Sequence, residues 1–143
     1  MVSEKTPTTR EAEAMAKIYV GPDVAHLIHS NNLKKGDVLS VAQLAGILGA
    51  KKTSDLIPLC HNINISSVKV NATLDLESHI VLLEAKVRCS GQTGVEMEAL
   101  TAVSVAALTV YDMCKAVTHD MIIKDIMLMS KSGGQRGNFK REN

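Results

Sequence analysis

The sequence predicts an α+β fold in which an antiparallel sheet carries helices on one face. Three observations lead there. Within positions 80–90 the inward residues Val81, Leu83, Ala85, Val87 and Cys89 recur at every second place, with Glu84, Lys86, Arg88 and Ser90 between the later ones, the period of a half-buried strand. Positions 99–111 hold no charged residue over more than three helical turns, the mark of a buried helix. Strand-like and helix-like segments are also interspersed without the regular βαβα rhythm of a parallel sheet.

Each segment has its own justification. Positions 1–16 are polar and contain Pro7, Thr8 and Thr9, which predicts a mobile arm, with a short edge strand at 17–20. Gly21-Pro22-Asp23 opens a helix that turns Val24, Leu27 and Ile28 inward. His26 and His29 sit three apart on it and read as exposed polar residues. Asp37 or Ser40 can cap a second helix running to about Lys52, with Val41, Leu44, Ala45 and Leu48 inward. Pro58 ends regular structure in the apolar loop Leu56-Ile57-Pro58-Leu59-Cys60-His61, which reads as tucked against the body of the protein. Positions 63–76 alternate with a phase slip near Ser66-Ser67-Val68, a strand with a bulge. A turn at Glu77-Ser78-His79 joins it to the strand at 80–90, whose inner face is Val81, Leu83, Ala85, Val87 and Cys89. The long helix follows from Gly94 to about Val117. Positions 121–130 are mostly apolar and read as a central strand. The tail at 131–143 is basic and glycine-rich, able either to wrap an anion or to stay disordered. The order is strand, two helices, two strands, long helix, strand. It approximates a split βαβ unit, the ferredoxin-like plan, with one extra helix.

Composition sets limits on what such a domain does. The chain has 143 residues, a single-domain length, and 45% are apolar. Two tyrosines and one phenylalanine leave the core aliphatic and methionine-rich. A net charge of +1 argues against a broad basic face for nucleic acid. The three cysteines, Cys60, Cys89 and Cys114, are scattered without a CxxC pair, so neither a disulfide framework nor a structural zinc site is indicated. No secretory leader is visible. The uncharged run of the long helix, broken by Thr101, Ser104 and Thr109, is too short for a membrane span, so the expectation is a cytoplasmic protein without a membrane partner.

The long helix is where chemistry is expected. Glu96 and Glu98 lie in its first turn, where the helix dipole favours negative charge, and Asp112 and Lys115 share a face at its far end. Glu98 and Asp112 lie within roughly 40° of one face and about 21 Å apart along the axis. Either the two ends serve different purposes, or a second copy packs antiparallel across a two-fold axis and joins the acidic end of one helix to the Asp-Lys end of the other. A plainer reading makes the glutamates dipole partners and Asp112 with Lys115 a surface ion pair. Lysines recur at element boundaries: Lys35, Lys51, Lys115 and Lys131. With Glu96, Glu98, Asp112 and His61 they suit a polyanionic substrate, and lysines that crowd one another lose protons more readily and can serve in acid–base steps. The competing class is a ferredoxin-like module that binds a phosphorylated small molecule without reacting it.

Five motifs carry a resemblance. They are Lys34-Lys35-Gly36-Asp37-Val38-Leu39, Asp55-Leu56-Ile57-Pro58-Leu59-Cys60-His61, Gly94-Val95-Glu96-Met97-Glu98-Ala99-Leu100-Thr101, Tyr111-Asp112-Met113-Cys114-Lys115-Ala116-Val117 and Lys131-Ser132-Gly133-Gly134. In order and spacing, from about Arg10 to Lys140, the chain resembles the cyclic pyranopterin monophosphate synthases, the protein C family of molybdenum cofactor biosynthesis. The resemblance implies a lyase that converts 3′,8-cyclo-7,8-dihydro-GTP into cyclic pyranopterin monophosphate and releases pyrophosphate. It implies a homohexamer built as a trimer of dimers, with the active site at the dimer interface. It implies no required cofactor, although magnesium can accompany the substrate triphosphate, and it points to no dedicated metal site. Lys51 and Lys131 fall on the acid–base lysines, and Asp112 on the active-site aspartate with Lys115 beside it. Leu59, Cys60, His61, Glu96, Met97 and Glu98 fall on the substrate pocket. Lys35 and Arg10 fall where the triphosphate is held. The chain begins inside the segment that Val2-Ser3-Glu4-Lys5 resembles, so the arm is where a departure from the family's site is expected.

Overall fold

A computed structural model describes residues 8–134 and 137–142. Among the described residues nine elements follow one another: β1 (Thr8–Tyr19), α1 (Gly21–His29), α2 (Val38–Lys51), α3 (Thr53–Leu56), β2 (Ile65–Asp75), β3 (Ile80–Gly91), α4 (Glu96–Cys114), β4 (Ile122–Ser132) and β5 (Phe139–Lys140). The five strands form one sheet in the order β2-β3-β1-β4-β5, and every neighbouring pair is antiparallel. β3 lies between β1 and β2, so the first four strands have the ferredoxin-like arrangement. Alternation sorts the sheet into two faces. Ala12, Ala14, Ala16 and Ile18 of β1 and Val81, Leu83, Ala85, Val87 and Cys89 of β3 are buried beneath the helices. Glu13, Met15, Lys69, Asn71, Glu84, Lys86 and Met129 line a shallow hollow on the other face.

β1 overturns the expectation of an arm over the region that is described. It is the central strand, paired with β3 from Thr8 to Tyr19 and with β4 from Glu11 to Tyr19. Its inward positions are mostly alanines, weak as a hydrophobic signal and poor strand formers, yet small enough to let α4 settle on the sheet. Neighbours on both sides settle its conformation. Positions 1–7 of the expected arm lie outside the described residues.

The second helix has the expected cap, with Asp37 Oδ1 accepting from the Ser40 backbone N–H at 3.2 Å. Its inner face is not the expected one. Ala42, Gly46, Gly49 and Ala50 are buried, whereas Val41, Leu44 and Leu48 are 39%, 57% and 51% exposed. The glycines explain this. A Cβ on Gly46 would lie 3.0 Å from the Ala102 carbonyl oxygen, and one on Gly49 would lie 2.9 Å from Val105. The two helices approach too closely for larger residues, so the leucines are turned outward.

β2 has its bulge between Ile65 and Ser67, and β3 has the expected alternation. β4 is not a central strand over most of its length, because the two-residue β5 pairs only with Ser130 and Lys131. Ile122 and Ile126 are 56% and 46% exposed, so its apolar run does not reflect burial on both faces. The loop at 56–61 is tucked in only in part: Leu56 and Leu59 are 58% and 94% exposed, whereas Ile57 is partly buried and the partly buried Cys60 meets α4. α4 is long and apolar enough by composition to cross a membrane, with a mean hydropathy of 1.3. Here Ala99, Ala102, Val103, Ala106, Ala107 and Val110 are buried within the fold.

Candidate active site

The two ends of α4 organise two separate groups of charged side chains. At its N-terminus the sheet register converges on one corner. Arg10 stands opposite Cys89, and Ala12 opposite Lys131, so Arg10, Cys89 and Lys131 share the face the helices cover. α4 begins above them with Glu96 and Glu98. Lys131 Nζ lies 3.6 Å from Glu96 Oε2, both side chains being about a third exposed or less. Arg10 Nε donates to the Gly91 carbonyl at 2.9 Å. Gly133 and Gly134, at φ +88° and +85°, bring the chain so close that side chains there would strike the Thr9 carbonyl and the Arg10 guanidinium.

Glu98 is the most unusual member of this corner. It is 2% exposed, and among the described residues its Oε1 has no hydrogen-bond partner. The Cys60 thiol donates to its Oε2 at 3.7 Å. Burial raises the Glu98 carboxyl above the ordinary glutamate value, and the charge of Glu96 adds to the rise. Cys60 is also raised, first by burial and then by Glu98, which favours the thiol form that donates to Glu98.

At the C-terminus of α4, Asp112 gathers two lysines. Lys115 Nζ lies 2.9 Å from Asp112 Oδ1, and Lys35 Nζ lies 3.8 Å from Oδ2. Lys35 also donates to the Asp112 backbone carbonyl at 3.3 Å, on the last turn of a helix where a cation is favoured. Hydrogen bonding to Lys115 and the charges of Lys115 and Lys35 lower the Asp112 pKa. Lys115 is raised by the same hydrogen bond and charge, which corrects the expectation that neighbouring lysines here give up protons more easily. Cys114, fully buried and raised to about 11, is an inert thiol packed into the core at this end.

The structure therefore joins Lys35, Asp112 and Lys115 in one group and Arg10, Cys60, Glu96, Glu98 and Lys131 in another. It does not join the groups to each other, since α4 separates them by about 21 Å. Lys51 closes α2 exposed and without an ion pair among the described residues. His61 and Leu59 are exposed, and Met97 is 38% exposed. His26 and His29 are exposed on α1. Among the described residues no three His, Cys, Asp or Glu side chains are gathered as a metal site. The reading of the residues missed Cys89, whose thiol donates to the Thr93 carbonyl at 3.5 Å in the acidic corner. Its inward phase in β3, next to the glycine turn, was the available signal.

Comparison with known proteins extends this geometry. The profile of the MoaC family matches residues 1–134. Over 141 residues, 99% of this chain, the sequence is 55% identical to the cyclic pyranopterin monophosphate synthase of Thermoanaerobacter pseudethanolicus, and the match covers 89% of that protein. The synthase of Clostridium acetobutylicum is 53% identical over 98% of this chain and 87% of its own length. Molybdenum cofactor biosynthesis protein 1 of Drosophila melanogaster is 65% identical over 99% of this chain, which spans 25% of that longer protein. The five motifs, the split βαβ sheet and the full-length matches agree: this chain belongs to the MoaC family.

Proposed function

We propose that this chain is a cyclic pyranopterin monophosphate synthase of molybdenum cofactor biosynthesis, a lyase that converts 3′,8-cyclo-7,8-dihydro-GTP to cyclic pyranopterin monophosphate with release of pyrophosphate. The named bacterial relatives, matched over nearly their whole length, support the reaction. The geometric observation that carries it is Asp112 shared between Lys35 and Lys115. A carboxylate holding two ammonium groups fixes both at short range and keeps a transferable proton beside them. Lys115, whose charged form Asp112 favours, is the proton donor of the pair. This assigns acid–base work to Lys35 and Lys115 rather than to Lys51 and Lys131. Lys131 and Arg10, with Lys51, are assigned to the triphosphate. Glu98, whose Oε1 has no partner among the described residues, and Cys60 are assigned to the polar edge of the ring system. The reaction calls on no cofactor, and magnesium, where it takes part, arrives on the triphosphate.

The separation of the two groups supports a site shared between copies. An isologous pair with antiparallel α4 helices places the Glu98 end of one beside the Asp112 end of the other. The exposed leucines supply a surface for association: Leu44, Leu48 and Leu108 are 57%, 51% and 59% exposed. A homohexamer built from three such dimers, working in the cytoplasm, completes the reading. The test is to add the cyclised dihydro-GTP to pure protein and follow pyrophosphate and pterin together by mass spectrometry. Both products are expected. Tight binding with neither product would instead make this a ligand-binding module.

A further inference from the structure

Asp112 and Lys115 sit where α4 ends and the chain turns toward β4. α4 stops at Cys114, and Lys115 is the first residue beyond it. The segment 115–120 carries little of its own structure: Val117 N–H donates to the Cys114 carbonyl, and Asp120 N–H to the Thr118 hydroxyl. Lys115, Ala116, Val117, His119 and Asp120 are all exposed, so packing does little to hold the turn in place. One side chain reaches across it. The Tyr111 hydroxyl, on the last turn of α4, donates to the His119 backbone carbonyl at 3.2 Å, closing a loop that runs from Tyr111 to His119 past Asp112 and Lys115.

We propose that Tyr111 is a positioning residue for the Asp112–Lys115 pair, its hydroxyl acting as a clamp that holds the turn bearing Lys115 against the end of α4. The proposal rests on the reading of Asp112, Lys35 and Lys115 as the acid–base group. Two features make a clamp necessary here. Lys115 is the C-cap of α4, and the chain leaves the helix directly after it, so no following helical turn braces its side chain. Its side chain is half exposed, and an exposed ion pair alone holds a lysine loosely. A phenylalanine would keep the ring packing and lose only the bond to His119.

The experiment compares wild type with Tyr111→Phe on two readouts. With the cyclised dihydro-GTP as substrate, kcat falls about fivefold, the population change set by one net hydrogen bond, while KM stays within about twofold. The Lys115 Nζ resonance, read by NMR on lysine-labelled protein, moves toward that of a free exposed lysine. Unchanged kcat, or a Lys115 resonance that does not move, overturns the proposal. Equal changes in KM and kcat with a lowered melting temperature also overturn it, since they mark a merely structural tyrosine. Should wild type itself show no turnover, the reading of the site fails, and the Lys115 resonance still decides the clamp.

Discussion

Replacing Glu98 by glutamine should stabilise the protein at neutral pH and leave it unchanged in acid. Glu98 is 2% exposed, accepts one weak thiol hydrogen bond, and has one oxygen with no partner among the described residues. Burial raises its pKa in the folded state above the ordinary 4.5. For an acid raised in this way, the folded protein binds more protons than the unfolded chain between the two values. Stability therefore falls as pH rises through that window, and the loss is complete above the folded value. Glutamine has no such charge to desolvate. Leaving a buried polar group unsatisfied costs about 1–3 kcal/mol, and glutamine removes the charge while keeping an unpartnered polar atom, so the gain is at the lower end, about 1 kcal/mol at pH 7–8. For a chain of this size that is a rise of about 3–4 °C in melting temperature. The assay is urea and thermal unfolding of wild type and Glu98→Gln at pH 4 and pH 8, at one protein concentration because association would add to both. Equal stability of the two proteins at pH 8 would refute the reasoning. A buried ionisable group kept at a stability cost is what a binding site requires, so the same variant is expected to bind substrate worse.

Asp112→Asn should lower kcat by about a hundredfold or more, the scale of an acid–base contribution. Because Asp112 raises the Lys115 pKa, its loss should move the alkaline limb of the rate–pH profile to lower pH, and an unmoved limb would remove Lys115 from the proton step. Gly46→Ala should destabilise by about 1 kcal/mol in urea titrations: overpacking of about 1–3 kcal/mol against the Ala102 carbonyl exceeds the helix-propensity gain of about 1 kcal/mol. A more stable Gly46→Ala would show that α2 and α4 can move apart freely.

Most of the secondary structure was legible because it rests on local periodicity. The β3 alternation, the bulge after Ile65 and the buried α4 all follow from the order of side chains along one segment. The failures share a cause. β1 reads as an arm because alanine and glutamate are poor strand formers, and only pairing with β3 and β4 overrides that preference. The inner face of α2 reads backwards because hydrophobicity points to Leu44 and Leu48, while helix proximity selects Gly46 and Gly49. The site divides in the same way. The i, i+3 pair Asp112 and Lys115 is visible in sequence, but Lys35 reaches Asp112 from 77 residues away and Lys131 meets Glu96 through the sheet register. Residue types suited to the chemistry could be named from sequence, whereas their grouping is a property of the tertiary fold.

Whether the two groups serve one site can be decided by complementation. Lys131→Ala damages the group at the N-terminus of α4, and Asp112→Asn the group at its C-terminus. If each site takes one group from each member of a two-fold pair, a mixed dimer carries both lesions in one site and neither in the other. Random pairing makes about half of all dimers mixed, and one site in two of those is intact, so co-expressed variants should recover about a quarter of the wild-type rate per site. If each chain instead carries a whole site, every site in the mixture has one lesion and nothing is recovered. The two outcomes differ by far more than assay error, and each variant expressed alone provides the zero. Purifying the mixed species by two different tags sharpens the contrast, since its expected rate rises to about half of wild type. Recovery would establish that 21 Å of helix divides one active site between two chains, and its absence would return Asp112 and Lys131 to separate functions on a single subunit.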